Sequence, residues 1–211
     1  MAESRGGLSI LTFPSAAALE EWLAQQPDDH PGIWLKLAKK ASGVASVGQS
    51  EAVDAGLCFG WIDGLINGYD DRFYLLRYTP RRKKSKWSQI NVARAEALMA
   101  AGRVRPRGMR EIEAARADGR WDAAYPPASR IEVPDDLQAA LEANPEAGGF
   151  FATLKGANRY AILYRLHDMR DPARREAAIA KWVAMLERNE PVYSAEPDRS
   201  SAVDRAAKEK R

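Results

Sequence analysis

The chain of 211 residues contains one cysteine, two histidines and no run of eighteen uncharged apolar residues. The single thiol, Cys58, excludes a disulfide framework within one chain. One Cys and two His are too few for the usual four-ligand zinc site, and no metal or cofactor is expected. Without a long apolar run, nothing is expected to insert into a membrane. No Ser lies in a G-x-S-x-G setting, no P-loop is present, and Gly60, Gly64 and Gly68 lack the G-x-G-x-x-G spacing. No repeat with a period of 20–50 residues occurs. The apolar content, 45% with 9% aromatic residues, nevertheless excludes a disordered chain.

An export signal is not expected either. The apolar run Leu8–Phe13 is short, contains Ser9 and Thr12, and follows Glu3 and Arg5, whose charges cancel. A cytoplasmic protein with Cys58 reduced is the expectation.

Charge is unevenly spread. Residues 1–60 carry a net −3, residues 61–130 a net +7 and residues 131–211 a net −1. A basic field confined to the middle third attracts phosphates, nucleic acid or an acidic partner.

Periodicity predicts an α+β chain with a small mixed sheet of about four strands covered by helices, then an all-helical segment. The strands are Leu8–Phe13, Ile33–Ala38, Trp61–Ile66 and Arg72–Tyr78. Ser15 caps a first helix, Ser50 and Asp54 start a second, and Gly60 ends it. Ser88 caps a third with Ile90, Ala93, Ala97 and Leu98 inward, and Pro106 opens a fourth. The expected domains are 8–125 (α+β), 126–134 (a linker with Pro126, Pro127 and Pro134), 135–192 (helical) and 193–211 (a flexible tail).

The candidate binding segment is Arg81-Arg82-Lys83-Lys84-Ser85-Lys86-Trp87. Arg forks match phosphate geometry, free N–H groups at a helix starting near Ser88 favour an anion, and Trp87 can stack on a base or ring. Alternatively the segment is a solvated basic loop with Trp87 in the core. Asn91 adds orientation, and Lys39 and Lys40 join if that end of the sheet is shared. Arg77 falls on the Phe73 and Leu75 face, where burial requires a carboxylate or a cleft. Asp63 and Glu51 are its candidate partners, and the possible acid–base groups if the site is catalytic. His167 and Asp168 are helix neighbours and form no relay. His30 reads as a surface residue and Cys58 as a small buried hydrophobe.

Several stretches then combine: Trp34-Leu-Lys-Leu-Ala-Lys-Lys40, Glu51-Ala52, Leu57-Cys-Phe-Gly-Trp-Ile-Asp-Gly64, Tyr78-Thr-Pro-Arg-Arg82, Ser85-Lys-Trp-Ser-Gln-Ile-Asn91, Gly102-Arg103 with Pro106 and Gly108, Ala117-Asp-Gly-Arg-Trp121 and Asn158-Arg-Tyr160. In this order they resemble the YdeI/OmpD-associated family of bacteriocin-protection proteins, from about residue 10 to residue 190. The resemblance implies a bacterial stress protein that protects against bacteriocins or cationic peptides and associates with a porin, without an established reaction. The family's C-terminal basic pattern corresponds to Met169-Arg170, Arg174-Arg175 and Ala178-Ile179, where Ala178 replaces a basic residue. Three readings follow: a non-enzymatic protein binding an anionic ligand or nucleic acid through residues 77–91, an enzyme of a small phosphorylated or acidic metabolite using Asp63 and Glu51 beside Arg77, and a protein-interaction module.

Overall fold

The computed structural model describes residues 3–193. The chain divides into two compact units, the first ending at Tyr125 and the second beginning at Pro126.

In the first unit, β1 (Ser4–Arg5), β2 (Leu8–Leu11), β3 (Ile33–Ala38), β4 (Trp61–Gly68) and β5 (Phe73–Pro80) form one sheet in the order β1-β2-β3-β5-β4. The helices are α1 (Ala16–Ala24), α2 (Gln49–Phe59), α3 (Gln89–Ala100) and α4 (Pro106–Ala117). The mixed character comes from one right-length crossover: α1 carries the chain from β2 to the parallel strand β3, while every other pairing is antiparallel. The strand count is five where about four were expected. The extra strand exists because Gly6 and Gly7 both take positive φ (56° and 77°), giving the two-residue turn that matches hairpin twist.

Strand alternation divides the sheet's side chains as expected. Leu35 and Leu37 of β3 and Leu76 and Tyr78 of β5 face a core shared with Leu19 and Leu23 of α1 and with Ala52, Ala55 and Leu57 of α2. Each fully buried Leu contributes about 1.5–3 kcal/mol. Trp34 and Leu75 point to the opposite face, where they cluster with Leu8 and Ile10, all of them strand residues. The Tyr78 hydroxyl donates to the Ala52 carbonyl (2.8 Å), which fastens β5 to α2.

Two helix details differ from the sequence reading. Gly48, not Ser50, caps α2; its N–H donates to the Glu51 carboxylate (2.8 Å), so a glycine with an acidic third residue replaces the expected side-chain cap. In α3 the inward residues are Ala95 and Leu98, whereas Ile90 is 48% exposed and Ala93 and Ala97 face solvent. The full inward stripe is Val92, Ala95, Leu98 and Met99, at helical spacing against the core, which leaves Ile90, Ala93 and Ala97 on the other side.

The second unit holds α5 (Asp135–Glu142), α6 (Pro145–Thr153), α7 (Gly156–His167) and α8 (Pro172–Glu187). Its core contains Leu137, Leu141, Phe151, Ile162, Leu166 and Ile179. Pro at the first helical position and an Asx cap start two of these helices: Asn144 accepts from Ala147 N (3.1 Å) and Asp171 from Arg174 N (2.8 Å). Arg175 forks onto Asp136, tying α8 to α5. Apart from Tyr193, the expected tail at 193–211 lies outside the described residues.

Candidate anion site

β5 ends at Pro80, and the next residue, Arg81, continues the ladder by donating its backbone N–H to the Gly60 carbonyl (2.9 Å). That bond turns the Arg81 side chain inward, where it is only 7% exposed. Its guanidinium carbon lies 3.7 Å from the centre of the Trp87 ring. Nη1 donates to the Lys86 carbonyl (3.3 Å), while Nε and Nη2 have no hydrogen-bond partner among the described residues. Burial pulls the Arg81 pKa down to about 10; the charges of Glu111 and Asp63 offset part of that, and Arg120 adds to it.

The stack continues beyond Arg81. Trp87, 1% exposed, lies 4.8 Å from Trp121, and the Arg116 guanidinium lies 4.9 Å from Trp121 on the way to solvent. A cation–ring–ring–cation ladder thus runs from the core to the surface. The loop above it is folded on itself: Arg82 N donates to Ser85 Oγ (2.9 Å), Ser85 N to the Arg82 carbonyl (2.8 Å), and Arg120 Nη1 to the Ser85 carbonyl (2.9 Å). Arg120 is itself held by Asp118 (2.7 Å). Arg116, Arg120, Trp121 and Glu111 were not among the sequence candidates. The only local sign of them was the stretch Ala117-Asp-Gly-Arg-Trp121.

The other sequence candidates separate. Arg82, Lys83, Lys84 and Lys86 are exposed. Trp87 is buried, with Arg81 on its ring, so no face is open for a base to stack on. The helix start is occupied as well: Gln89 N donates to the Tyr125 carbonyl (2.9 Å), and Asn91 N to Ser88 Oγ (3.1 Å). Asn91 is half-buried. Lys39 lies at the opposite end of β5, donating to the Asp70 carbonyl (2.8 Å), and Lys40 begins a short 3₁₀ turn. Arg77 lies 5.7 Å from the centre of the Trp34 ring and makes no ion pair with Asp63 or Glu51 among the described residues. Glu51 is spent on the α2 cap. Asp63 is half-buried opposite Tyr78 and, after burial itself, helps push the Tyr78 hydroxyl well above its usual pKa.

A concavity of about 760 Å³ lies away from Arg81, between α1 and the start of α4, floored by Leu23 and Phe59. Its cations are largely paired: Arg107 and Arg110 both reach Asp28 (3.1 and 2.8 Å). Among the described residues, no group of three or more His, Cys, Asp or Glu side chains is placed to hold a metal, and no helix is long and apolar enough to cross a membrane.

Comparison with known proteins divides the chain in a similar place. Residues 130–189, which contain α5–α8, match the family model described as bacteriocin-protection, YdeI or OmpD-associated. Residues 11–111, which contain the Arg81 segment, match a domain of unknown function (DUF8412). No curated protein matches the chain, and no solved structure does.

Proposed function

From the bacteriocin-protection match over residues 130–189, we propose that this chain is a non-enzymatic bacterial resistance protein whose first unit holds a small oxyanion of the phosphate class at Arg81. One observation carries the reading: the Arg81 guanidinium is buried with Nε and Nη2 unpartnered. A desolvated cation without a hydrogen-bonded counter-charge is destabilised by several kcal/mol. An oxyanion reaching Nε and Nη2 relieves that cost, because this edge of the guanidinium grips two oxygens at once. Trp87 covers a flat face of the fork, and the edge that carries Nε and Nη2 is buried and, among the described residues, unpartnered. The exposed Arg82, Lys83 and Lys84 enrich anions around the loop that follows Arg81. Binding is favoured over chemistry because the acid–base pair that a reaction needs is not assembled: Glu51 caps a helix and Arg77 faces Trp34.

Titration calorimetry with inorganic phosphate tests this. Arg81→Met keeps the apolar stem on Trp87 and removes the charge. The expected result is saturable binding to the native chain, at least tenfold weaker binding to R81M, and an R81M protein no less thermostable than the native one without phosphate, since an unpaired buried charge has been replaced by a packed side chain. A Lys83→Gln/Lys84→Gln variant, which touches no core residue, retains binding with a smaller salt dependence. If phosphate neither binds nor raises the melting temperature of the native protein, the site does not hold an oxyanion.

A further inference from the structure

Within the first unit, α1 and α2 pack on one face of the sheet. The other presents Leu8, Ile10, Trp34 and Leu75, a cluster without any helical residue, yet Trp34 and Leu75 are buried. Cations laid flat over rings cover them. The Arg5 and Arg77 guanidinium carbons each lie 5.7 Å from the centre of the Trp34 ring. Lys36 Nζ lies 3.9 Å from the Tyr69 ring and 4.8 Å from Phe73, and Arg72 lies 5.9 Å from Phe73. Long cationic stems commonly cover apolar surface in this way, as Arg5 and Arg77 do over Trp34. Such cover does not account for the charge balance. Glu3, at 3.8 Å from Lys36, is the only carboxylate paired with this face among the described residues. The nearby Asp70 carboxylate is turned onto the backbone N–H groups of Arg72 and Phe73 (both 2.7 Å). The Arg5 and Arg77 side chains have neither a hydrogen bond nor an ion pair among the described residues.

We propose that the sheet face around Trp34 binds the phosphodiester backbone of a single-stranded nucleic acid. Charge complementarity carries the assignment: four cations share one paired carboxylate, and the single Trp34 ring beside both Arg5 and Arg77 holds their forks ready for phosphate oxygens. Tyr69, exposed, with Lys36 near its ring and its hydroxyl donating to Glu3, distinguishes a nucleic acid from an acidic polypeptide, because a base stacks on an exposed ring beside cations and a carboxylate does not. The face is separate from the Arg81 site: Trp34 and Trp87 belong to different packing clusters, so either site can fail without the other.

Fluorescence anisotropy of a short labelled oligouridylate is the test. With four phosphate contacts, affinity falls roughly 50-fold between about 50 and 200 mM salt, at a logarithmic slope of about −3. Arg5→Gln with Arg77→Gln weakens binding at least tenfold and roughly halves the slope. Tyr69→Ala, at the exposed hairpin, weakens binding several-fold and leaves the slope unchanged. It also covers the case in which the double variant does not fold. Lys83→Gln/Lys84→Gln, which bears on the Arg81 site, changes binding less than twofold. No binding at low salt, equal loss in the Lys83/Lys84 variant, or competition by polyglutamate as strong as by unlabelled oligouridylate overturns the proposal, the last in favour of an acidic protein partner.

Discussion

His30 is fixed by contacts that its own neighbourhood does not announce. It follows Asp28 and Asp29 in a polar loop, and the sequence placed it at the surface. In the fold its Nδ1 accepts the Gly32 N–H (3.0 Å), and its ring lies 5.4 Å from both Trp22 and Trp61. Gly32 itself needs φ of 100°, and a side chain there would meet the Thr79 methyl at 2.5 Å, so the loop has one way to enter β3. Burial, and then the charge of Arg107, lowers the His30 pKa below its ordinary value of 6.5. The sign of the linkage follows. The unfolded chain binds the proton first, so stability contributed by neutral His30 is complete above pH 6.5, falls as pH drops through 6.5, and levels off once the folded ring also protonates. Protonation also removes the acceptor that Gly32 uses. Urea unfolding at a series of pH values checks this. The native protein is expected to lose stability on acidification by an amount that His30→Gln does not lose. Parallel curves for the two proteins would show that His30 carries no such linkage.

At the scale of elements, the tightest fit is where α4 crosses the end of α2. A Cβ placed on Gly108 would lie 2.3 Å from the Cys58 carbonyl oxygen and 2.6 Å from that of Leu57, both backbone atoms that cannot swing away. Helix propensity favours Ala over Gly by about 1 kcal/mol. The clash works against it, and overpacking of this kind typically costs 1–3 kcal/mol or more. Because the clashing atoms are backbone, the cost lies at the upper end and the clash wins, so Gly108→Ala destabilises by about 2 kcal/mol net. Gly149 in α6 has nothing within 4 Å of its Cβ position, and Gly149→Ala gains up to about 1 kcal/mol. Chemical denaturation of the two variants reads opposite signs from the same substitution. Local signals made most elements legible: Ser15 and Ser88 at caps, Gly60 past a helix end, strict alternation in Ile33–Ala38. The Gly6-Gly7 hairpin was visible but carried only two-residue strand pairing, too short for alternation to mark. The Arg81 site was legible only as a basic run. Five cations looked equivalent in sequence, and what singles out Arg81 is the packing of Trp87 on Trp121, thirty-odd residues apart along the chain.

At the scale of the whole molecule, the packing clusters and the family matches divide near the same boundary. The main clusters of the two units share no residue: Leu35 and Leu76 lie in one, Leu137 and Ile162 in the other. Each of these four side chains is fully buried. Truncating one to Ala costs about 2–5 kcal/mol through lost transfer energy and the cavity left behind. That cost is borne by the unit whose cluster is opened. Leu137→Ala is therefore expected to speed amide exchange across residues 135–187 while protection of β3 and β5 is retained, and Leu35→Ala to do the reverse, as measured by hydrogen exchange with mass spectrometry. Acceleration throughout the chain in both variants would mean that the units unfold as one. The functional consequence is sharper. The bacteriocin-protection match covers 130–189, whereas Arg81 and the cation-covered sheet face lie before Tyr125. Leu137→Ala should then impair resistance in cells challenged with a bacteriocin while leaving phosphate binding at Arg81 intact, and Leu35→Ala should abolish phosphate binding through loss of the sheet that positions β5.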